Sequence, residues 1–143
     1  MGNSKDNKQI NIAISRLNKS YVRRDVADQI IDLVIALEAM TTIQPADSLR
    51  FKVAVLIARL LEKDLEERKE LAKKITEVYK TRSTIVHKGT TIKWSKKIFK
   101  SETELVFFTR ELVKRSILRL IDLIFNRSKK RDLEDIIGEI TYS

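Results

Sequence analysis

The sequence predicts an all-α protein, an up-and-down helical bundle of four to five helices. The chain of 143 residues contains only three Gly and one Pro, whereas sheet-rich folds need many turns built from these residues. Its apolar residues recur at helical spacing in long stretches, with charged residues between them. The length fits one domain, which we place at residues 21–143, after a partly flexible N-terminal segment at residues 1–20.

The first part of the chain predicts two elements. In the N-terminal segment apolar residues lie at helical spacing, although three isoleucines also alternate as in a short strand; we favour the helix. Residues 22–40 have a clear helical stripe, and Ser20 before them is a candidate N-cap. Pro45 then disfavours helix in the residue before it, so it marks a break.

Four further helices complete the prediction. We expect them at residues 48–63, 65–87, 101–125 and 133–140. Two of them begin with a capping-box pattern, Asp64 followed by Glu67 and Ser101 followed by Glu104. Gly89 ends the helix at 65–87, because Gly tolerates the left-handed conformation that terminates many helices.

The composition excludes several classes of chemistry and location. The chain has no Cys, so we expect no disulfide, no thiolate catalysis and no Cys-bound zinc. Its N-terminus is polar and lacks the apolar core of a signal peptide, and no apolar run is long enough to span a bilayer. We therefore expect a cytoplasmic protein that spans no membrane. The net charge of +9 favours a polyanionic partner such as nucleic acid, with solubility alone as the alternative.

Positive charge is concentrated in residues 78–101, which we call the basic stretch. It has no Asp or Glu and holds seven basic residues: Lys80, Arg82, Lys88, Lys93, Lys96, Lys97 and Lys100. Three aromatic residues, Tyr79, Trp94 and Phe99, are interleaved with them. Because basic side chains neutralise phosphates and aromatic rings stack on unpaired bases, the stretch predicts a site for single-stranded RNA. The alternative is a solvated loop whose Trp94 covers the core.

An acidic run stands at the start of the helix predicted at 65–87. It consists of Asp64, Glu66, Glu67 and Glu70. Carboxylates at a helix N-terminus interact favourably with the helix dipole, and we favour this interpretation over a magnesium site.

His87 is the single histidine of the chain, so any histidine acid–base mechanism near neutral pH must use it. The alternative is that a histidine near a helix C-terminus only stabilises the dipole. On an ideal helix Tyr79, Ser83 and His87 share one face. Arg82 lies about 140° from His87. The two would meet if the helix loosened near Gly89, or if a second copy completed the site across a two-fold axis.

The residues around His87 resemble the R-x-x-x-x-H motif of HEPN domains. The chain carries it in the form Y-x-x-R-S-x-I-V-H-x-G at residues 79–89. Upstream, residues 33–39 resemble the I-A-L-E-A segment of the Apea-like branch, and they include Glu38. The resemblance covers roughly residues 12–127.

The resemblance implies a dimeric helical bundle with metal-independent endoribonuclease activity, which in many members serves as a toxin or antiviral effector. The catalytic residues would be Arg82 and His87 with Ser83, and Tyr79 and Glu38 would support them. The 2′-OH of single-stranded RNA would attack the neighbouring phosphate and leave a 2′,3′-cyclic phosphate. We therefore expect no metal and no cofactor. The expected partners are RNA, a second copy, and an antitoxin or larger defence assembly.

Two alternatives stay open at this point. One is a non-catalytic module that binds RNA or nucleotide, since some members of the family are inactive. The other is a helical interaction protein, such as the toxin half of a pair with a nucleotidyltransferase-like antitoxin.

In this branch Gly often follows the histidine directly, whereas this chain has Lys88 there, which could change the geometry of the helix end.

Overall fold

A computed structural model of the chain describes residues 4–41, 49–88, 98–125, 136–138 and 140. These residues form five long helices: α1 (Ser4–Val22), α2 (Val26–Thr41), α3 (Leu49–Leu61), α4 (Leu65–Lys88) and α5 (Glu102–Phe125). A short helical segment follows at 136–138, and these ranges contain no strand. The prediction of an all-α helical bundle is therefore confirmed. None of the helices described combines the length and the apolar character that crossing a membrane requires.

The core is built around α2, which packs against each of the other four long helices described. Its apolar run places Ile30, Leu33 and Leu37 in the interior, each fully buried. Residues three and four apart share a helix face, so this spacing gives α2 a continuous apolar surface. The neighbouring helices contribute side chains such as Ile75 and Leu120 to the same core.

The N-terminal segment belongs to the bundle. Residues 4–20 form most of α1, so the helical interpretation is confirmed and the strand alternative is wrong. Ile10 and Ala13 are buried, and α1 packs mainly against α2. The boundary that we predicted at residue 21 therefore falls inside a helix of the packed core.

The prediction of Ser20 as an N-cap is wrong, because α1 continues through Val22. Ser20 is fully buried. Its hydroxyl donates a hydrogen bond of 2.6 Å to the Leu17 carbonyl and accepts one of 3.3 Å from Arg110 Nε. Arg110 also donates from Nη2 to the Ser20 carbonyl at 3.1 Å. Ser20 therefore ties α1 to α5, a long-range role that its local sequence does not signal.

Both predicted capping patterns form hydrogen bonds. The amide of Glu67 donates to Asp64 Oδ2 at 3.1 Å, and the amide of Glu104 donates to Ser101 Oγ at 3.1 Å. At the second cap Glu104 Oε2 accepts from the amide of Lys100 at 3.1 Å. Caps of this kind stabilise a helix by about 1 kcal/mol, and these two fix where α4 and α5 begin.

The helix predicted at 133–140 is described only in part, at 136–138. Ile136 and Ile137 in this segment are buried, and the Ile140 carbonyl accepts a hydrogen bond of 3.0 Å from Arg59 Nη1 of α3. This end of the chain thus packs against the bundle. The predicted breaks at Pro45 and Gly89 lie outside the described residues.

Candidate functional site

Arg82 lies on the core-facing stripe of α4. It follows Ile75 and Val78 at seven and four residues, and both of these are fully buried. Positions at this spacing share a helix face, so the Arg82 side chain starts from the buried side of α4 and is itself half-buried. Its Nε is buried and has no hydrogen-bond partner within the described part of the chain. Such groups are rare in folded proteins, and a catalytic role is one of the accepted reasons for keeping one.

Glu38 of α2 is the acidic neighbour of Arg82. Its side chain is half-buried, and burial raises the pKa of its carboxyl, while the charge of Arg82 lowers the same pKa. The net direction is upward, so the loss of hydration destabilises the charged carboxylate more than the positive charge of Arg82 stabilises it. The two residues predicted by the family resemblance on separate helices are therefore within electrostatic reach of each other.

The other motif residues lie on the last turns of α4. Ser83 is half-buried and directly follows Arg82. The backbone of His87 is helical, because α4 continues to Lys88; its side chain lies outside the description. The helix does not loosen before Lys88. The positions of Arg82 and His87 therefore stay about 140° apart around the helix axis.

Tyr79 is placed in the core rather than at the surface. Only 4% of its surface is exposed, and it belongs to the apolar cluster of the bundle. It follows Ile75 at four residues, on the packed side of α4. Tyr79 can therefore support the position of Arg82 and Ser83 through packing, but it presents no ring face to a base.

The basic stretch is only partly described. Lys80 and Lys100 are exposed, as a phosphate-binding surface requires. Phe99 is buried and packs against Phe108 with ring centroids 5.2 Å apart. The prediction that Tyr79 and Phe99 stack on bases is therefore wrong, since both rings fill the core. The structure does not describe the side chain of Lys88 or the residues Lys93, Trp94, Lys96 and Lys97.

The acidic run at the start of α4 is engaged locally. Asp64 caps the helix, and Glu66 accepts an ion-pair hydrogen bond of 3.5 Å from Lys69. A hydrogen bond with Glu62, together with the charges of Glu62 and Asp64, raises the pKa of Glu67. Over the described residues, no three His, Cys, Asp or Glu side chains are grouped so that they could hold a metal ion. These contacts agree with the interpretation of the run as a helix-start feature.

A groove of about 340 Å³ lies between α4 and α5. Lys74 and Phe108 line it, together with Arg115 and Glu62, which form an ion pair of 2.9 Å. Its charges are thus mixed and partly neutralised. Glu67 and Glu70 of the acidic run line it, but none of the residues predicted to cut or bind RNA does, so it is separate from the Arg82 region.

Sequence reasoning missed the most buried charge of the described structure, Asp32 of α2. Only 2% of its side chain is exposed, and it accepts hydrogen bonds from Arg16 Nη1 at 3.0 Å and from Arg23 Nε at 2.8 Å. The signal was present: Asp32 is an acid inside the apolar run at 30–34. Because both arginines reach it from α1 and the turn that follows, the cluster fastens α1 to α2 and is a structural feature.

Comparison of the chain with protein-family models, with curated proteins and with solved structures finds no significant match.

Proposed function

We propose that the protein is a metal-independent endoribonuclease of the HEPN type that cuts single-stranded RNA. The observation that carries the proposal is the state of Arg82. Arg82 is half-buried as a residue, its charge lowers the pKa that burial raises at Glu38, and its buried Nε has no hydrogen-bond partner in the described structure. Arginine binds phosphate through planar, forked donors, and this one stands five residues before the single histidine of the chain.

The chemistry follows from the residue types. The 2′-oxygen of RNA bonds to the adjacent phosphorus, the bond from phosphorus to the 5′-oxygen breaks, and the leaving oxygen takes up a proton. His87 accepts the proton of the 2′-OH or donates one to the leaving group. Arg82 stabilises the charge that develops on the phosphate oxygens, and Ser83 orients His87 or donates to a phosphate oxygen. The products are a 2′,3′-cyclic phosphate and a 5′-hydroxyl.

Glu38 acts in this proposal as a positioning residue. It lies on α2 and reaches the guanidinium of Arg82 electrostatically, so it restrains the direction of Arg82 without touching RNA. The Glu38→Gln variant keeps the shape and removes the charge. We expect it to lower turnover and to change the acidic limb of the pH–rate profile, which a purely structural role would leave in place.

A second copy completes the site. On a helix that is regular through Lys88, the backbone positions of Arg82 and His87 lie about 140° apart around the axis. A two-fold axis near this end of α4 brings the same two residues from another chain into the gap. Each phosphate then meets Arg82 and His87 of its own chain together with the pair from the second copy.

The biological role belongs to the same proposal. The exposed Lys80 and Lys100 bind the RNA backbone together with the rest of the basic stretch. The protein acts in the cytoplasm as a toxin or an antiviral effector. Its activity is held in check by an antitoxin or within a larger defence assembly.

The test is cleavage of unstructured RNA in excess EDTA by the wild type and by His87→Ala and Arg82→Ala. Arg119→Ala is the matched control, since it removes an exposed arginine of α5 whose partner is Asp122. We expect cleavage by the wild type and the control, and a loss of at least about 100-fold in the two site variants, the usual size of acid–base and charge-stabilising contributions. No cleavage by any chain, or equal cleavage by all four, overturns the assignment.

The second candidate function is RNA binding without cleavage. It is favoured by the exposure of Lys80 and Lys100 on a stretch that carries no acid. It predicts salt-dependent RNA binding that is unchanged by His87→Ala, with no cleavage by the wild type.

A further inference from the structure

The large aromatic side chains that remain open to solvent in the described structure lie on α1 and α5. Tyr21, near the end of α1, is 50% exposed, and Phe107, on the second turn of α5, is 64% exposed; Phe125, at the far end of α5, is 41% exposed. Two of the rings that the sequence assigned to stacking, Tyr79 and Phe99, are buried. Because a ring must be accessible to stack on an unpaired base, Tyr21 and Phe107 are better placed for this contact than those two.

Two basic side chains of α5 lie against the Tyr21 ring. The guanidinium carbon of Arg110 is 4.2 Å from the ring centroid, and Lys114 Nζ is 5.8 Å from it. A hydrogen bond with Tyr21 raises the pKa of Lys114, ahead of the effect of Glu111, with which Lys114 forms an ion pair of 3.0 Å. Arg110 donates to the uncharged Ser20, so these contacts leave its positive charge uncompensated. A ring next to two cations can bind both parts of a nucleotide, because the ring stacks on the base while the cations neutralise the phosphate.

Most of α1 carries no acid. Residues 7–24 contain no Asp or Glu, and they hold five basic residues: Lys8, Arg16, Lys19, Arg23 and Arg24. Asp32 pairs with two of them, Arg16 and Arg23. Lys19 and Arg24, which flank Tyr21 in the chain, are exposed. The end of α1 therefore adds positive charge beside the Tyr21 ring, which suits the phosphates of a nucleic acid.

The start of α5 lies toward the Arg82 end of α4. Lys74 Nζ of α4 is 5.7 Å from the centroid of the Phe108 ring. Arg115, later on α5, pairs at 2.9 Å with Glu62, which precedes α4. The two helices are therefore antiparallel, and the residues before Phe108 lie toward the end of α4.

Exposed side chains lead from this end along α5. Lys100 precedes the helix and is exposed. Phe107 and Lys114 are seven residues apart, so they share a helix face, and α5 rises about 18 Å from Glu102 to Lys114. A strand held by Lys100 can therefore continue over Phe107 to Tyr21.

We propose that Tyr21, Phe107, Arg110 and Lys114 form a second contact region for single-stranded RNA, which we call the α1–α5 surface. Unpaired bases stack on the two rings, and phosphates bind to the two cations. The proposal rests on the proposed function, from which it takes RNA as the ligand, and it extends the RNA-binding region beyond the proposed catalytic site. The cations at Tyr21 favour an anionic strand over an apolar protein segment, which would contact Leu118 as much as Phe107, because the two are 68% and 64% exposed.

The test is RNA binding by chains that carry His87→Ala, so that cleavage does not consume the probe. The probe is an unstructured, uridine-rich RNA strand, and fluorescence anisotropy gives its dissociation constant. In this background Tyr21→Ser and Phe107→Ser should each raise the dissociation constant about fivefold or more, the effect of losing one stacked base. Leu118→Ser removes a similarly exposed apolar side chain of the same helix. It is the matched control and should bind like the parent chain.

A strand of the same length without bases shows whether the rings stack. It keeps the phosphates, so Tyr21→Ser should no longer weaken its binding. Lys114→Gln should weaken the binding of both strands and lower the salt dependence. Tyr21→Phe keeps the ring and should bind like the parent chain, and every variant should keep the helical circular dichroism of the parent.

Unchanged binding in both Tyr21→Ser and Phe107→Ser overturns the proposal. So does an equal loss in Leu118→Ser, which would indicate a surface for an apolar protein partner, and so does a parent chain that binds no RNA at low salt. Failure of the proposed function has a different result. A wild type that binds RNA through Tyr21 and Phe107 without cutting it excludes the ribonuclease and leaves the α1–α5 surface in place.

Discussion

Burial raises the pKa of the Glu38 carboxyl on α2, and the charge of Arg82 on α4 offsets part of that rise. This relationship joins two helices at the end of the bundle where the basic stretch begins. It gives a half-buried guanidinium an anionic neighbour while its Nε has no hydrogen-bond partner in the described structure. Arg82 therefore has one donor that no described residue accepts, and its charge acts on an acid of the neighbouring helix.

Removal of the Arg82 charge should raise the pKa of Glu38 further. In Arg82→Gln the lowering contribution disappears and the effect of burial is left unopposed. An NMR pH titration of the Glu38 side chain measures this shift. Arg119→Gln, at an exposed ion pair of α5, should leave the Glu38 titration unchanged, and an unchanged titration in Arg82→Gln would show that the two groups do not interact.

The same pair gives the stability of the protein a defined pH dependence. Because folding raises the pKa of Glu38, its contribution to stability is fully present below the unfolded value, near 4.3, and is lost as pH rises through the folded value. Without Arg82 this loss is larger. Urea unfolding should therefore show that the destabilisation caused by Arg82→Gln is greater at about pH 7 than at about pH 3.5; an equal or opposite difference would contradict this assignment.

Asp32→Asn should destabilise the protein by about 1–3 kcal/mol, the cost of losing hydrogen bonds to a buried charged acceptor. The effect stays below that of a fully buried pair, because Arg16 and Arg23 are 34% and 43% exposed and can reach water. Chemical denaturation provides the measurement.

Asp122→Asn is the matched control for Asp32→Asn. Its ion pair with Arg119, at 3.3 Å, is exposed, and such pairs contribute less than about 1 kcal/mol. If both variants lost the same stability, the Asp32 cluster would not fasten α1 to α2 as described.

Ser101→Ala should cost about 1 kcal/mol of stability, since the Glu104 amide at the start of α5 loses its acceptor. Ser101→Asp supplies another acceptor and should restore most of the loss. Thermal unfolding of the three chains measures both effects. A Ser101→Asp chain as unstable as Ser101→Ala would mean that the cap is not the cause.

Local signals in the sequence were sufficient for the long helices described and for the caps at Asp64 and Ser101, but not for the predicted cap at Ser20. The patterns at Asp64 and Ser101 act within one turn, and both form the predicted hydrogen bonds. Ser20 was predicted as an N-cap from its residue type alone, yet it lies inside α1, and its hydroxyl and carbonyl accept hydrogen bonds from Arg110, ninety residues away. Contacts between helices depend on how they pack, which helical spacing does not specify.

At the candidate site, too, the sequence predicted local positions, whereas the contacts between helices appear only in the structure. Spacing placed Tyr79 on one face with Ser83, but only packing reveals that Tyr79 is buried and unable to stack on a base. Glu38 and Arg82 were both marked by the family resemblance, yet their proximity comes from the contact of α2 with α4. The burial of Asp32 likewise required the tertiary structure.

The most direct test of the proposed ribonuclease is the chemical identity of the RNA ends after incubation in excess EDTA. Mass spectrometry of the fragments from wild type, Arg82→Ala and His87→Ala distinguishes a 2′,3′-cyclic phosphate from a 3′-hydroxyl, and an all-2′-deoxy strand of the same sequence serves as substrate control. We predict cyclic phosphate ends from the wild type only, and no cut in the deoxy strand. Wild-type fragments with 3′-hydroxyl ends, or cyclic phosphate ends produced equally by the two variants, would contradict the proposal.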